Sequence, residues 1–399
     1  MKKIIAIALA AAMVFALCAC GSSSSAPAAG SSDAAEVIKI GVFEPQSGDN
    51  GPGGKQEVLG IEYAHSIRPT VKVGDKEYKV ELDIQDNQSS TDKAVSAAQQ
   101  LIADKCAVVL GSYGSGVSIA AGSYFKDAKV PAIGVSCTNA AVTAGNEFYF
   151  RTCFLDPFQG SVMANFAKDN FGAKKAYVLS MLGDDYTVGL AKNFVIAFKA
   201  LGGECVEDTF VEGTSDFSSY LQNAVDAGAD VIFAPSAINY AAQIIEQAST
   251  KGISLPILSG DTWESSVISD AQKGTDLQVF MSTFFDENDD SGVAAEFVSG
   301  FKAWLNANPD KKTNNGDNDV VAAVSALGFD AYNVALDAIE AAGSTDGEAI
   351  RQALVAFSGD NFVTGAMAFD ENGDAIKDTA YIKQAVDGAF AFAKVQKAS

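Results

Sequence analysis

The sequence predicts an α/β protein built from two doubly wound, Rossmann-like lobes, and three observations lead there. Short β-branched apolar runs alternate with stretches of helical periodicity, the pattern of parallel strands covered by helices. That alternation occurs twice, over residues 37–152 and again over 176–285, with a fresh helix start between the two runs. Roughly 365 residues follow the leader, more than a single core supports, so two lobes of about 150–200 residues each are expected.

The leader comes first. Lys2 and Lys3 precede an apolar run over 4–17, which ends in Leu17-Cys18-Ala19-Cys20-Gly21. A charged start, an apolar stretch of this length and a small-residue cleavage site make residues 1–19 a signal peptide. The Leu-x-Ala-Cys arrangement resembles a bacterial lipobox, which implies cleavage before Cys20 and lipidation of its thiol. Residues 20–35, rich in Ser, Ala, Gly and Pro with one charge at Asp33, have the composition of a flexible tether. The body is therefore expected outside the cytoplasm, held at the membrane by its lipid.

Residues 37–43 read as a largely buried first strand. A glycine-rich polar loop over 44–54 follows, then a helix to about residue 66. Residues 79–85 form a second strand, and 86–91 is an N-capping loop for a helix over 92–103. The stretch 107–139 organises the lobe. It reads as a strand, the turn Gly111-Ser-Tyr-Gly-Ser-Gly116, a helix with Val117, Ala120, Ala121, Tyr124 and Phe125 at helical spacing, a second strand, and Ser136-Cys-Thr-Asn139. The first amides of that helix have no intrahelical acceptor, so they and the helix dipole suit a carboxylate, the dipole alone contributing about 0.3–2 kcal/mol. Ligands in open α/β sheets bind beyond the carboxyl ends of the strands, where both polar segments fall. An ordinary pair of βα turns would have the same composition.

After an extended segment at 148–152, Asp156-Pro157 opens a helix. Strands over 176–180, 205–209, 231–235 and 256–259 then alternate with helices over 189–200, 217–227 and 240–250. Their carboxyl ends carry Asp184-Asp-Tyr186, Pro235-Ser-Ala-Ile238 and Gly260-Asp-Thr-Trp-Glu264. Asp261 fits either a helix cap or a ligand contact. Residues 277–285 are another strand. The acidic loop 286–290 reads as solvated, because it lacks the Gly and terminal Glu of a calcium loop. Helices over 293–307, 320–342 and 348–357 follow, then strands over 361–370 and 379–385 joined by the turn Glu371-Asn-Gly-Asp374.

Composition excludes several functions. A net charge of −22 argues against nucleic acid or an anionic membrane surface as a partner. His65 is the single histidine, on an amphipathic helix beside Ile61 and Tyr63, which leaves little room for a Ser-His-Asp triad or a histidine metal site. Cys106, Cys137, Cys153 and Cys205 are widely spaced with no C-x-x-C pair; a bridge among the first three and buried free thiols are both open. With no metal cluster and no P-loop, no cofactor, metal or enzymatic activity is expected.

The residues resemble the leucine/isoleucine/valine-binding family, solute receptors of ABC importers with the type I periplasmic-binding-protein fold. The likeness runs over about 37–397 and rests on Ile38-Lys-Ile-Gly-Val-Phe-Glu-Pro-Gln-Ser-Gly48, Gly111-Ser-Tyr-Gly-Ser-Gly-Val-Ser118, Val135-Ser-Cys-Thr-Asn139, Tyr149-Phe-Arg-Thr152, Gly183-Asp-Asp-Tyr186, Asp216-Phe-Ser-Ser219 and Phe369-Asp-Glu-Asn-Gly-Asp374. It implies three crossovers, near Cys153, Thr283 and Asn361, with lobe one at 36–153 plus 284–361 and lobe two at 154–283 plus 362–399. Ligand contacts carried over by motif are Tyr113, Gly114, Ser115 and Thr138 for an α-carboxylate, and the Ser136 carbonyl, Thr138 hydroxyl and Asp261 for an α-ammonium. Asp261 stands where leucine-type binders carry glutamate, one methylene longer. Tyr186 matches an aromatic that closes over the ligand. A second lobe-two aromatic is replaced by Ala237 or Ile238, with Trp263 as a substitute, and Gly53 replaces an aromatic of the opening loop.

The resemblance implies a lipid-anchored receptor that captures a free α-amino acid, first of all leucine, isoleucine or valine, and hands it to an ABC permease; a monomer is expected. Another amino acid or small amide in the same fold, and a sensory lipoprotein reporting ligand occupancy, are the alternatives.

Overall fold

The computed structural model of the protein describes residues 36–397; the signal peptide, the tether and Cys20 lie outside the described residues. Lobe one begins with β1 (Val37–Glu44), α1 (Gly51–Ile67), β2 (Thr70–Val73), β3 (Lys76–Asp86), α2 (Thr91–Ala103), β4 (Val108–Leu110), α3 (Ser115–Ala128), β5 (Ala132–Gly134) and β6 (Tyr149–Arg151). The six strands form one sheet in the order β2-β3-β1-β4-β5-β6, parallel except for the β2–β3 hairpin. β1 sits in the middle and its alternate side chains face opposite ways. Ile38, Ile40 and Val42 join the large core that includes α1, while Phe43 packs with Ala94, Leu101, Val109 and Phe125 on the other face. Fully burying such a side chain contributes about 1.5–3 kcal/mol.

Lobe two contains α4 (Asp156–Phe171), β7 (Lys175–Met181), α5 (Asp185–Ala200), β8 (Glu204–Phe210), α6 (Ser218–Asp226), β9 (Val231–Phe233), α7 (Ile238–Thr250), β10 (Ile257–Ser259), α8 (Ser266–Gln272) and β11 (Val279–Thr283). The chain then forms α9 (Gly292–Ala307), α10 (Pro309–Asn314), α11 (Ala323–Ala342), α12 (Gly347–Val355), and the two-residue strands β12 (Ser358–Gly359) and β13 (Met367–Ala368). It ends in β14 (Ala380–Val386) and β15 (Ala389–Gln396). The second sheet runs β15-β14-β11-β10-β9-β7-β8, parallel from β11 to β8 and antiparallel at the β11–β14–β15 edge.

Both sheets have the strand order that creates a switch point, between β1 and β4 in one and between β7 and β9 in the other. Ligand crevices lie beyond such points, at the carboxyl ends of the strands. Here those ends are Glu44 and Leu110 in lobe one, and Met181 and Phe233 in lobe two.

Several elements depart from the sequence reading. α1 starts at Gly51 rather than after Gly54, because Pro52 occupies the first turn, where its missing N–H costs nothing. Residues 70–73 add an edge strand, and 389–396 add a last one that the mixed polar pattern concealed. Residues 361–370 are mostly irregular. Phe369 stacks edge-on against Phe150 and Asp374 pairs with Arg151, both in lobe one, so the third passage between the sheets falls at 376–379 rather than near Asn361. The acidic loop is not wholly solvated. Asp286 is buried and its carboxylate lies 3.6 Å from Lys383 Nζ, which also bonds Glu264 at 2.5 Å. The four described cysteines are free thiols, three of them buried. His65 bonds the Val80 carbonyl at 3.0 Å and packs on Tyr332, a structural role.

Candidate functional site

The two switch points face each other across a crevice whose lips touch. Asn139 Nδ2 donates to the Asp185 carbonyl at 2.6 Å, Asn239 Nδ2 to Asp49 Oδ1 at 3.2 Å, and Ile238 N–H to Asn50 Oδ1 at 3.4 Å. Deeper in, the Tyr113 hydroxyl donates to the Thr262 carbonyl at 3.2 Å. The lobes are thus drawn together around a cavity of about 70 Å³ lined by Tyr113, Gly114, Ser115 and Val117 from lobe one and Asp184, Tyr186, Ala237 and Thr262 from lobe two.

The turn before α3 is shaped by its neighbours. Gly111 has φ +119°, a conformation that side chains resist, and any Cβ there would overlap the Phe43 carbonyl and the Glu44 carboxyl. The Gly111 carbonyl accepts from the Tyr149 hydroxyl at 2.8 Å, and Ser112 Oγ accepts from Asn87 Nδ2 at 2.9 Å. Tyr113 N–H donates to Glu44 Oε2 at 2.8 Å. Gly114 is the N-cap of α3, and no side chain caps its first turn. Those amides therefore remain available to an anion at the helix start.

The second polar segment is fixed from below. Arg151 is wholly buried; its Nη1 donates to the carbonyls of Cys137 (2.6 Å) and Asn139 (2.8 Å), its Nη2 to Thr143 Oγ1 (2.7 Å), and its Nε pairs with Asp374 (2.6 Å). One guanidinium thus sets the path of 137–139. Asn139 N–H in turn donates to Ser115 Oγ at 3.2 Å, which ties this segment to the α3 turn. Thr138 is buried and its Oγ1 has no hydrogen-bond partner among the described residues.

Across the crevice, Asp261 follows β10 in a short 3₁₀ turn. Its Oδ1 accepts from Gln159 Nε2 at 2.8 Å and from the Tyr186 hydroxyl at 3.1 Å. Burial pushes its carboxyl up to about 6. Glu264, three residues on, is also raised by burial but is met by Lys383 and by the Thr283 hydroxyl.

The fold brings Tyr113, Gly114, Ser115 and Tyr186 to the cavity wall; Ser136, Thr138 and Asp261 are buried and do not line it, Asp261 accepting a hydrogen bond from the lining Tyr186. Trp263 does not line the cavity. It is fully buried, so it does not take the place of the aromatic missing at 237–238. The opening-loop aromatic has a substitute instead: a Cβ at Gly53 would fall inside the Tyr113 ring, so that ring fills the space over α1.

Four polar groups of the crevice escaped the sequence reading. Glu44 ends β1 and Glu57 lies on α1, both completely buried. The two acids neighbour each other, and burial together with that proximity raises the Glu44 carboxyl well above the usual carboxylate range; the Ser136 hydroxyl donates to Glu57. Asp156, expected only to cap α4, is buried close to the Thr138 hydroxyl, and burial, which outweighs that contact, raises its carboxyl to about 7. Gln159 orients Asp261. A signal existed for two of these. Glu44 sits at the carboxyl end of the central strand, and Glu57 shares the apolar face of α1 with Ile61 and Ala64, where a charge is out of pattern. Among the described residues no group of side chains could hold a metal ion, and no helix is long and apolar enough to cross a membrane.

Comparison with known proteins places this geometry in context. A family model described as periplasmic binding protein matches residues 37–389. A Leu/Ile/Val-binding protein homolog from Brucella abortus is 28% identical over 355 residues, covering 86% of this chain and 89% of the relative. The crystal structure of a leucine-binding protein from Thermotoga maritima superposes with a TM-score of 0.81 at 33% identity, over 90% of this chain and 99% of that one. A branched-chain amino acid transporter substrate-binding protein from Streptococcus pneumoniae, solved with isoleucine, gives 0.79 at 28% identity, over 91% and 100%.

Proposed function

The chain belongs to the periplasmic binding protein family, and from that premise we propose that it captures an α-amino acid, leucine, isoleucine or valine first, between its closing lobes and presents it to an ABC importer permease. It is a solute-binding protein and not an enzyme. The observation that carries the ligand class is the opposition of an uncapped helix start at Gly114-Ser115 and a buried carboxyl at Asp261 in one crevice. The first suits a carboxylate, the second an ammonium, and an α-amino acid presents both within one short molecule.

In this reading the ligand carboxylate meets the amides of the α3 turn and the hydroxyls of Ser115 and Thr138. The ammonium meets the Ser136 carbonyl, the Thr138 hydroxyl and Asp261. Both charges leave water, so each needs full hydrogen-bonding partners, and charge-assisted bonds supply them. Tyr186 closes over the side chain beside Val117 and Ala237. The names of the relatives, which bind leucine or isoleucine, favour an aliphatic side chain at that end. Lipidation at Cys20 would keep the receptor beside its permease, as a monomer on its tether.

Closure is a hinge shift toward the state with more ligand contacts. Calorimetric titration with a panel of free amino acids tests the proposal: micromolar or tighter binding of an aliphatic member is expected. Failure of every aliphatic amino acid would overturn the side-chain assignment, and failure of all amino acids would overturn the ligand class.

A further inference from the structure

The lobe-one wall carries a chain of polar groups that no ligand contact named so far explains. Tyr113 N–H of the carboxylate-binding turn donates to Glu44, Glu44 neighbours Glu57, and Glu57 accepts from the hydroxyl of Ser136, whose carbonyl faces the proposed ammonium. The chain therefore links the two ends of the amino-acid site through two fully buried acids. The remaining oxygens, Glu44 Oε1 and Glu57 Oε2, are buried with no hydrogen-bond partner among the described residues. Two carboxylates this close resist ionising together, and burial adds to that, so the pair is held partly protonated at neutral pH.

Resting on the amino-acid reading above, we propose that Glu57 is a second counter-charge for the ligand's ammonium, a positioning residue that acts from lobe one through Ser136 while Asp261 acts from lobe two. This accounts for Asp261 being a methylene shorter than the usual glutamate. The ammonium is held between two carboxylates on opposite walls, and neither has to reach it alone.

The surroundings of Glu57 support that assignment. Apart from Glu44 on β1, the ionisable groups around it are the thiols of Cys137 and Cys153, the Tyr113 hydroxyl and, across the crevice, Asp261. Glu264 behind Asp261 is already neutralised by Lys383, which also reaches Asp286. On the helices outside α1 the charges are likewise taken: Lys311 pairs with Glu62, Arg68 with Asp337 and Glu340, and Asp330 of α11 accepts from the amides of Val363 and Thr364. Arg151 is committed to Asp374 and to backbone carbonyls. The ligand ammonium is the cation that this wall is built to receive.

Burial holds Glu57 at about 7 in the ligand-free protein, and Glu44 well above the usual carboxylate range. An arriving ammonium favours the ionised form, so Glu57 must give up its proton fraction as the ligand binds. Near pH 7 that release is on the order of half a proton.

The test is calorimetric titration of leucine into the full-length protein at pH 7, in phosphate and in Tris, whose different ionisation heats count the protons released. Release of a substantial fraction of a proton is expected for the unaltered protein and for Asp261→Asn at a ligand concentration that saturates it. Glu57→Gln should lower the release to what Asp156 and Asp261 contribute and weaken leucine at least tenfold. As a measurement independent of any variant, protein labelled with ¹³C at glutamate carboxyls should show a glutamate titrating near neutrality whose midpoint falls on adding leucine. Leucine binding without proton release, or with no glutamate midpoint moved, overturns the role of Glu57. Absence of binding by any amino acid overturns the ligand class instead, so the two failures are separable.

Discussion

Asp261→Asn isolates the charge on which the ammonium contact depends. Asparagine keeps an oxygen at the position of Oδ1, so the bonds from Gln159 (2.8 Å) and Tyr186 (3.1 Å) can persist and the turn keeps its shape. What disappears is a carboxylate that is almost fully buried and that, in the proposed reading, faces a desolvated ammonium. Losing one partner of a buried, hydrogen-bonded charge pair costs about 2–5 kcal/mol, which is about 30-fold to several-thousand-fold in Kd. Calorimetry on the folded variant, with its thermal transition as a control, reads this directly. The carboxyl titrates at about 6 without ligand because of its burial. The unaltered protein should therefore lose affinity as pH falls through 6, and this part of the pH profile should be absent in the variant. An Asp261→Asn protein that bound leucine within about tenfold of the original, about 1.4 kcal/mol, would refute the ammonium assignment.

Three further outcomes follow from the same geometry. Lys383→Met leaves Glu264 buried without its cation and should lower the unfolding free energy by about 3–5 kcal/mol in a urea titration; the double variant Lys383→Met/Glu264→Gln should recover much of it, since the cost comes from the orphaned charge. The ligand-free protein should grow more heat-stable as pH falls from 7.5 toward 5, because Asp156 and Glu57 (each about 7) and Asp261 and Asp330 (each about 6) bind protons in the fold at pH values where the unfolded chain does not, and the stabilisation by leucine should shrink over the same interval. Gly53→Trp should collide with the Tyr113 ring and abolish leucine binding, whereas Gly53→Trp/Tyr113→Leu should restore part of it, measured by titration of both variants.

How much of this could be read in the sequence follows from which interactions are local. Alternation of apolar runs and helical spacing is local, so both lobes and most elements were legible, and the Gly111–Gly116 turn and Ser136–Asn139 announced themselves by composition at strand ends. The third passage was not, because 362–375 is held to lobe one by Phe369 on Phe150 and Asp374 on Arg151, partners more than two hundred residues away. The last edge strand was missed because Ala389–Gln396 is half exposed and mixes polar with apolar residues. At the crevice, Tyr113, Ser115 and Tyr186 line the cavity wall. Trp263 does not line the wall and is fully buried. Arg151, Glu44 and Glu57 act through buried pairs formed across sheet and helix, and a pairing between distant segments leaves only a faint trace in a single sequence: a charge where an apolar residue is expected.

Closure itself is finely balanced. The rim bonds Asn139 to Asp185, Asn239 to Asp49 and Ile238 to Asn50 replace bonds that each group makes to water when the crevice opens, so each contributes about 0.5–1.5 kcal/mol at most. Against them stands the cost of enclosing Asp156, Asp261 and the Glu44–Glu57 pair, whose carboxyls burial drives toward the neutral form. A ligand that brings a positive charge to these acids and a negative one to the α3 turn removes that cost and adds charge-assisted bonds in the closed form alone. Binding energy is thereby directed to closure, the state that, in the proposed role, a permease would distinguish from the open receptor.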